Sequence, residues 1–383
     1  MDQYKFVSGM IRSYYKSKGK LEVNRINERE FGFGTFDKKI AHRHMKVEDS
    51  NQLNEMLVKE APPYVSCSAA YYKYPDARPM ERKVWEGSEL IFDLDATDMH
   101  LKCTPEHARD WVCGNCFDKV REEAVKLVED FLMPDFGFSD KEISINFSGN
   151  RGYHVRIERD DVLMLSSDAR KEMSDYISGN NIDFVSMFPT SQKRGVLRGP
   201  KMEDPGWGGK IARNFVDTLN RGPDALAEEL GVEKSIAKKL YKNRTLISMG
   251  IGNGNWDMVY IKNKAEFWKD MIGRQAISQS DKIDKNVTTD PSHLIRLQNT
   301  LHGSTGLVAR KIKDVSELAD FDPMLKCVAF KKGELKMKVG KVPKFEILGE
   351  QVGPFDDEQA TLPVYAGLYI FLKGLGQIIS YNE

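Results

Sequence analysis

Seven residues, Glu89-Leu-Ile-Phe-Asp-Leu-Asp95, constrain this chain more than any others. Apolar and acidic positions alternate among them, the period of a half-buried β-strand. Leu90, Phe92 and Leu94 fall on one face, and Ile91, Asp93 and Asp95 on the other. Carboxylates two residues apart on a strand lie about 6–7 Å apart. Like charges that close raise each other's pKa unless something cationic lies between them. Mg²⁺ or Mn²⁺, which take hard oxygen ligands, meets that need. A strand end running into a polar turn, with both acids solvated, is the plainer reading of the same residues.

The chain has 383 residues, enough for two to three domains or one elaborated domain with a sizeable core. Its formal net charge is zero, so no global field draws it to polyanions, and any nucleic-acid contact must come from local patches. Three of the five cysteines cluster at 103, 113 and 116, which points to a reducing compartment and a metal site instead of a disulfide framework. The N-terminus lacks the apolar core of a signal peptide. The longest apolar run, around Leu362 to Leu372, is too short to span a bilayer and carries Pro363 and Gly367. The expectation is a cytoplasmic protein without a membrane segment.

Residues 3–17 read as a helix with Phe6, Met10, Ile11 and Tyr14 on one side. Phe31 and Phe33 alternate as in a strand, and Arg43 sits between His42 and His44. Residues 61–88 read as an aromatic loop that packs over the core. Cys103, His107, Cys113 and Cys116 form a three-thiolate, one-imidazole set that suits tetrahedral zinc, with His100 as an alternative to His107. Four protein ligands close the coordination sphere, so this zinc is expected to be structural, in a motif over 100–117. A helix over 117–132 follows, with a core stripe from Phe117 to Phe131.

Ile143-Ser-Ile-Asn-Phe147 and Tyr153-His-Val-Arg-Ile157 alternate on either side of Ser148-Gly-Asn-Arg-Gly152. This is a strand–turn–strand hairpin whose turn offers a hydroxyl, free backbone N–H groups, a guanidinium and, beside it, the imidazole of His154. Such groups bind phosphate. Residues 161–245 change to helices separated by Gly/Pro-rich connectors. With twelve Lys/Arg against seven Asp/Glu between 190 and 245, they read as a helical insertion of mild basic bias. A third signature joins Asp281, Asp284 and Asp290 to a strand-like segment ending in Arg296, then to His302 in a glycine-rich turn. The C-terminus is expected to end in an apolar helix from about Asp357. Paired acids faced by guanidinium and imidazole suit nucleotidyl transfer.

The sequence resembles the small catalytic subunit of archaeal and eukaryotic DNA primases, the archaeal form most. The resemblance covers nearly the whole chain. It rests on Arg29-Glu-Phe-Gly-Phe, Ser68-Ala-Ala-Tyr-Tyr, Phe92-Asp-Leu-Asp-Ala96, the Cys/His cluster, Ser148-Gly-Asn-Arg-Gly-Tyr-His154, and Arg296 through His302-Gly. It implies a mixed α/β fold: a primase core of mixed sheets flanked by helices over 1–160 and 246–383, with the insertion at 161–245. It implies that Asp93, Asp95 and Asp284 are catalytic and hold Mg²⁺ or Mn²⁺, Asp284 being preferred to Asp281 and Asp290 because the family's third acid precedes a Val-Thr or Val-Ser pair. Ser148, Arg151, His154, Arg296 and His302 would hold the incoming triphosphate, with Glu30 and Arg43 near it. Position 150 is Asn where some relatives carry Arg, which puts one phosphate contact in doubt. The implied activity is template-directed synthesis of short RNA primers, or DNA, on single-stranded DNA from nucleoside triphosphates, with a large primase subunit as partner. The alternatives are a repair primase-polymerase that extends existing ends, and a non-catalytic zinc-bearing module that binds nucleic acid.

Overall fold

The computed structural model describes residues 2–99, 111–180, 182–183, 186–188, 197–257 and 285–382. In chain order its strands are β1 (Phe31–Gly34), β2 (His42–Met45), β3 (Tyr64–Ser68), β4 (Ala70–Tyr72), β5 (Trp85–Ser88), β6 (Leu90–Asp95), β7 (Ile143–Phe147), β8 (Gly152–Ile157), β9 (Leu294–Arg296), β10 (Lys311–Ile312), β11 (Glu334–Val339), β12 (Phe345–Ile347), β13 (Glu350–Val352), β14 (Glu358–Pro363) and β15 (Gly376–Asn382). The fold is mixed α/β, as expected. Every ladder among the described strands is antiparallel. Short links such as the β7–β8 turn permit only that sense, since a parallel pair needs a long crossover.

Two compact units divide the chain. The first takes Met1–Val125, Ser139–Lys171 and Ile283–Glu383; the second takes Lys126–Phe138 and Glu172–Lys282. These boundaries differ from the expected insertion at 161–245 on both sides. Arg170 ties its segment to the first unit, donating to the carbonyls of Ser88 (2.7 Å) and Glu89 (2.8 Å). Helix Arg244–Gly252, unseen in the sequence, buries Ile247 and Ile251 and packs on helix Gly206–Arg221 of the second unit. Within that unit Lys210 pairs with Asp135 (2.7 Å), and the Trp207 indole donates to the Tyr176 carbonyl (2.7 Å).

The first unit holds two four-stranded sheets, ordered β2-β1-β3-β9 and β10-β7-β8-β6. On the second sheet, Leu90, Phe92 and Leu94 are almost fully buried, and Phe147 packs on Phe117 of helix Gly114–Lys126. Each such side chain contributes about 1.5–3 kcal/mol by leaving water. The other face of β6 meets the first sheet through Ala69, Ile91, Val287 and Ile295, which form one apolar cluster. Asp93 and Asp95 come next along that same face, and the space between the sheets opens there into a cleft.

Three expected elements differ. Residues 61–88 are not a loop but carry β3, β4 and β5. β3 is buried at all five positions, on both of its faces. The first helix, Gln3–Lys18, buries Val7, Ile11 and Tyr15, one step round from the expected stripe. The C-terminal apolar segment is helical only over Val364–Leu372. Before it, β14 pairs with β11, and Pro363, which has no N–H to give a ladder, begins the helix. After it, β15 returns to pair with β11.

Candidate active site

The cleft encloses about 390 Å³ and draws its lining from both sheets. β6 brings Asp93 and Asp95, β8 brings His154, and the β7–β8 turn brings Ser148, Asn150 and Arg151. Arg43 comes from β2, Ser66 from β3 and Arg296 from β9, with His302 from the loop beyond. Residues separated by two hundred positions thus meet because β3 pairs with β9, placing Ser66 opposite Arg296, while β6 pairs with β8, placing Asp93 opposite His154.

Two glycines make the approach close enough. Asp95 lies opposite Gly152, and a Cβ at 152 would come within 1.8 Å of the Leu94 carbonyl oxygen. Gly149 has φ +84, and a Cβ there would meet the Cβ of His302 at 2.8 Å. The turn therefore sits directly against the His302 loop. Ser148 holds the turn by accepting from the backbone N–H groups of Asn150 (3.3 Å) and Gly152 (3.2 Å).

On the acidic wall, Asp95 divides its two oxygens. Oδ1 accepts from the Thr97 N–H (2.9 Å) and hydroxyl (2.8 Å), while Oδ2 accepts from Arg151 Nη2 (3.0 Å) and Nε (3.2 Å). Asp93 Oδ1 is 3.5 Å from His154 Nε2. That histidine is buried, and burial, then Arg156 and Arg296, pushes its pKa down to about 3. It is neutral, so the contact with Asp93 is not an ion pair. Its tautomer is set from behind. Gln298 donates to Asn146 Oδ1 (3.3 Å), the Asn146 amide donates to His154 Nδ1 (3.2 Å), and the ring proton is left on Nε2, facing Asp93.

The basic wall is built differently. Arg296 is buried, lies over the Tyr64 ring (5.0 Å), and donates from Nη1 to the Val65 carbonyl (3.1 Å). Its Nε has no hydrogen-bond partner, and no carboxylate pairs with it among the described residues. Burial pushes its pKa down to about 10, so it is still a cation at neutral pH. His302 packs edge-on against Tyr64, accepts from the Ser304 N–H at Nδ1 (3.2 Å), and is held neutral by burial and by surrounding cations led by Arg296. Arg43 reaches the cleft from a carboxylate base: its Nε donates to Glu30 Oε1 (2.7 Å).

Glu30 does not line the cleft. It is fully buried behind Arg43, and it also accepts from the His44 N–H (3.0 Å) and lies 3.3 Å from Lys83 Nζ. Burial raises its pKa, but Arg43 and Lys83 more than offset that and leave it lowered. Glu30 therefore orients Arg43. Lys39, Ser66, Ser292 and His293 line the cleft without having been singled out in the sequence, since none belongs to a recognisable spacing. Asp290 also lines it, whereas Asp281 and Asp284 lie outside the described residues. Helix Lys285–Thr289 packs on β6, so the chain directly after Asp284 lies against the strand of the paired acids.

Of the cysteine set, Cys103 and His107 lie outside the described residues, as does His100. Cys113 and Cys116 begin helix Gly114–Lys126 with their sulfurs 3.6 Å apart. Two thiolates on one tetrahedral zinc, each at about 2.3 Å, are about 3.8 Å apart. Among the described residues no three His, Cys, Asp or Glu gather into a metal-sized group.

Across a narrow polar cleft an acidic wall faces Arg296, a cation without a carboxylate partner among the described residues, and such an arrangement of charge suits a polyanion accompanied by divalent cations. Asp93 and Asp95 are hard-oxygen donors about one-quarter exposed at its edge, which fits that donor chemistry. The comparisons name the family. Residues 92–314, a span that takes in β6, the hairpin and the 296–302 segment, match the model of the DNA primase small subunit. The DNA primase small subunit PriS of Methanothrix thermoacetophila is 31% identical over 97% of this chain and 98% of its own length. That of Thermoplasma acidophilum is 34% identical over 95% and 98%, and that of Halobacterium salinarum 30% over 88% and 87%. The chain belongs to the DNA primase small subunit family.

Proposed function

We propose that the cleft is the nucleotidyl-transfer centre of a DNA primase catalytic subunit, which joins nucleoside triphosphates on a single-stranded DNA template to make primers. The observation that carries this reading is Arg296, a buried cation with no acid partner among the described residues, set across the cleft from Asp93 and Asp95. Arg296, Arg43, His302 and the Ser148–Gly152 turn bind the triphosphate. Neutral His154 turns its Nε2 proton toward Asp93 and the phosphates. Asp93, Asp95 and Asp284 would hold Mg²⁺ or Mn²⁺. Bound there, such ions would activate a 3′-hydroxyl and neutralise charge at the α-phosphate as pyrophosphate leaves. Cys103, His107, Cys113 and Cys116 would hold a structural zinc.

The working form in this reading is a heterodimer with a large subunit, in the cytoplasm. No described helix is long and apolar enough to cross a membrane. The net charge of zero predicts weak template binding with a shallow salt dependence, so that the large subunit supplies the template grip. The test is incorporation of labelled nucleotides on unprimed single-stranded DNA with Mg²⁺ or Mn²⁺, wild type beside Asp93→Ala. New oligomers made by the wild type and lost in the variant support the reading. Extension of added primers alone, with the large subunit present, favours an end-extending polymerase. Incorporation by neither protein under any condition overturns it.

A further inference from the structure

We infer that Lys373 and Asn150 act together as a triphosphate-holding pair, in which Asn150 touches the phosphates and Lys373 positions and polarises it. The inference rests on the nucleotide reading of the cleft and adds a residue to it. Asn150 lies in the phosphate-binding turn and lines the cleft. The ammonium of Lys373, 223 positions away in sequence, lies behind it and donates to Asn150 Oδ1 at 3.3 Å. A carboxamide held through its oxygen presents its two Nδ2 protons elsewhere, and an anionic oxygen can accept those. A cation on the carbonyl side draws electron density from the amide and makes it a stronger donor.

The platform behind the pair is rigid. Lys373 follows directly on helix Val364–Leu372, which is buried on almost every face and packs on β11, β14 and β15. The carbonyls of Tyr369, Ile370 and Phe371 at that helix end accept from the N–H groups of Lys373, Leu375 and Gly374, and a cation there also suits the negative end of the helix dipole. The stem of Lys373 runs by the Tyr369 ring, with Nζ 5.6 Å from its centroid. The same charge reaches the neighbouring ligand group, because Lys373 is among the cations that keep His302 neutral. An arginine at 150 would carry its own charge into the turn. Here the turn carries an amide and the charge comes from another element.

The test measures binding of ATP and of inorganic tripolyphosphate by titration calorimetry without template, together with KM and kcat for nucleotide incorporation. Lys373→Met is expected to weaken tripolyphosphate and to raise the nucleotide KM by about tenfold, with kcat changed less than about twofold. Lys373→Arg should keep most of the affinity. Asn150→Arg placed in the Lys373→Met background should restore it, an outcome that repair of mere packing would not give. Unchanged tripolyphosphate affinity in Lys373→Met, or failure of that rescue, overturns the inference. Should Lys373→Met not fold, Asn150→Asp decides. It removes the donors and presents a carboxylate, so binding must fall, and unchanged binding is an equally firm refutation. Arg296→Ala runs beside these as the reference. If it too leaves tripolyphosphate binding unchanged, the nucleotide reading of the cleft fails. If it weakens binding and Lys373→Met does not, only the present inference fails.

Discussion

Two buried arginines, Arg29 and Arg296, lie in the same unit and are treated in opposite ways. Arg29, 2% exposed, donates to the carbonyls of Asn24 (2.8 Å) and Ser68 (2.7 Å), to the Tyr71 hydroxyl (2.8 Å) and to Glu89. Burial alone would lower its pKa, but Glu89 more than reverses that. Arg296, 9% exposed, has one carbonyl, an aromatic face and an idle Nε. A buried charge without a partner is costly. The first arginine has its counter-charge inside the fold. The second lacks one among the described residues and faces the cleft, so an anion from outside would complete it. Charge satisfaction, more than burial, separates the residues that hold this molecule together from those that wait for a ligand.

The sharpest way to break that comparison is to remove each arginine and measure denaturant unfolding. Arg29→Ala leaves Glu89 buried with the Tyr71 hydroxyl and with Arg156 as its one remaining cation, and should cost about 3–5 kcal/mol. Arg296→Leu removes a cation that lacks a counter-charge and should change stability by less than about 1 kcal/mol, in either direction. Equal losses in the two variants would mean that Arg296 is structural after all.

The same pair should invert when activity is read. Arg296→Ala is expected to lower kcat/KM for nucleotide incorporation by about 100-fold, the usual cost of losing one charge-stabilising donor. Near-normal activity with a folded Arg296→Ala would leave the basic wall without its main member.

Acid provides a third contrast. Burial pushes the Glu89 carboxyl up, but Arg156 and Arg29 more than offset this and leave its pKa below the ordinary 4.5. The unfolded chain therefore binds that proton first, and Glu89 contributes stability above pH 4.5 that is lost as pH falls through its lowered value. Thermal unfolding followed downward from pH 6 should drop more steeply for the wild type than for Glu89→Gln. Parallel curves would remove the closed cluster from the account of acid stability.

What the sequence made legible follows the same physics. β6, β7 and β8 could be read because one face of each is apolar and the other polar, and the glycine-bracketed turn between β7 and β8 marks the hairpin. β3 could not, because its five buried residues follow Pro62-Pro63 in an aromatic stretch that reads as a loop, so Ser66 was lost with it. Glu30 was read as a neighbour of the nucleotide. Only the fold shows that it stands behind Arg43. Lys373 carries no local signal at all: its importance comes from a contact across 223 positions, and spacing rules see only near neighbours. The β3–β9 pairing, which brings Arg296 to the cleft, was equally invisible for that reason.

Asp95 lets the comparison be drawn within one side chain. Its Oδ1 is closed by the Thr97 N–H and hydroxyl, as Arg29 is closed by its partners, whereas its Oδ2 is held by Arg151 at the cleft. Thr97→Ala removes one of the two bonds to Oδ1 and leaves the backbone bond in place. The carboxylate keeps its charge but loses part of its fixed orientation. The expected loss is about 1 kcal/mol, or about fivefold in the Mg²⁺ concentration needed for half-maximal incorporation. Thr97→Ser, which retains the hydroxyl, should restore it. Global stability should move by no more than about 0.5 kcal/mol, because Thr97 is only partly buried. A stability loss with an unchanged Mg²⁺ requirement would assign Thr97 to the fold alone. An unchanged protein would show that the backbone N–H by itself fixes Asp95.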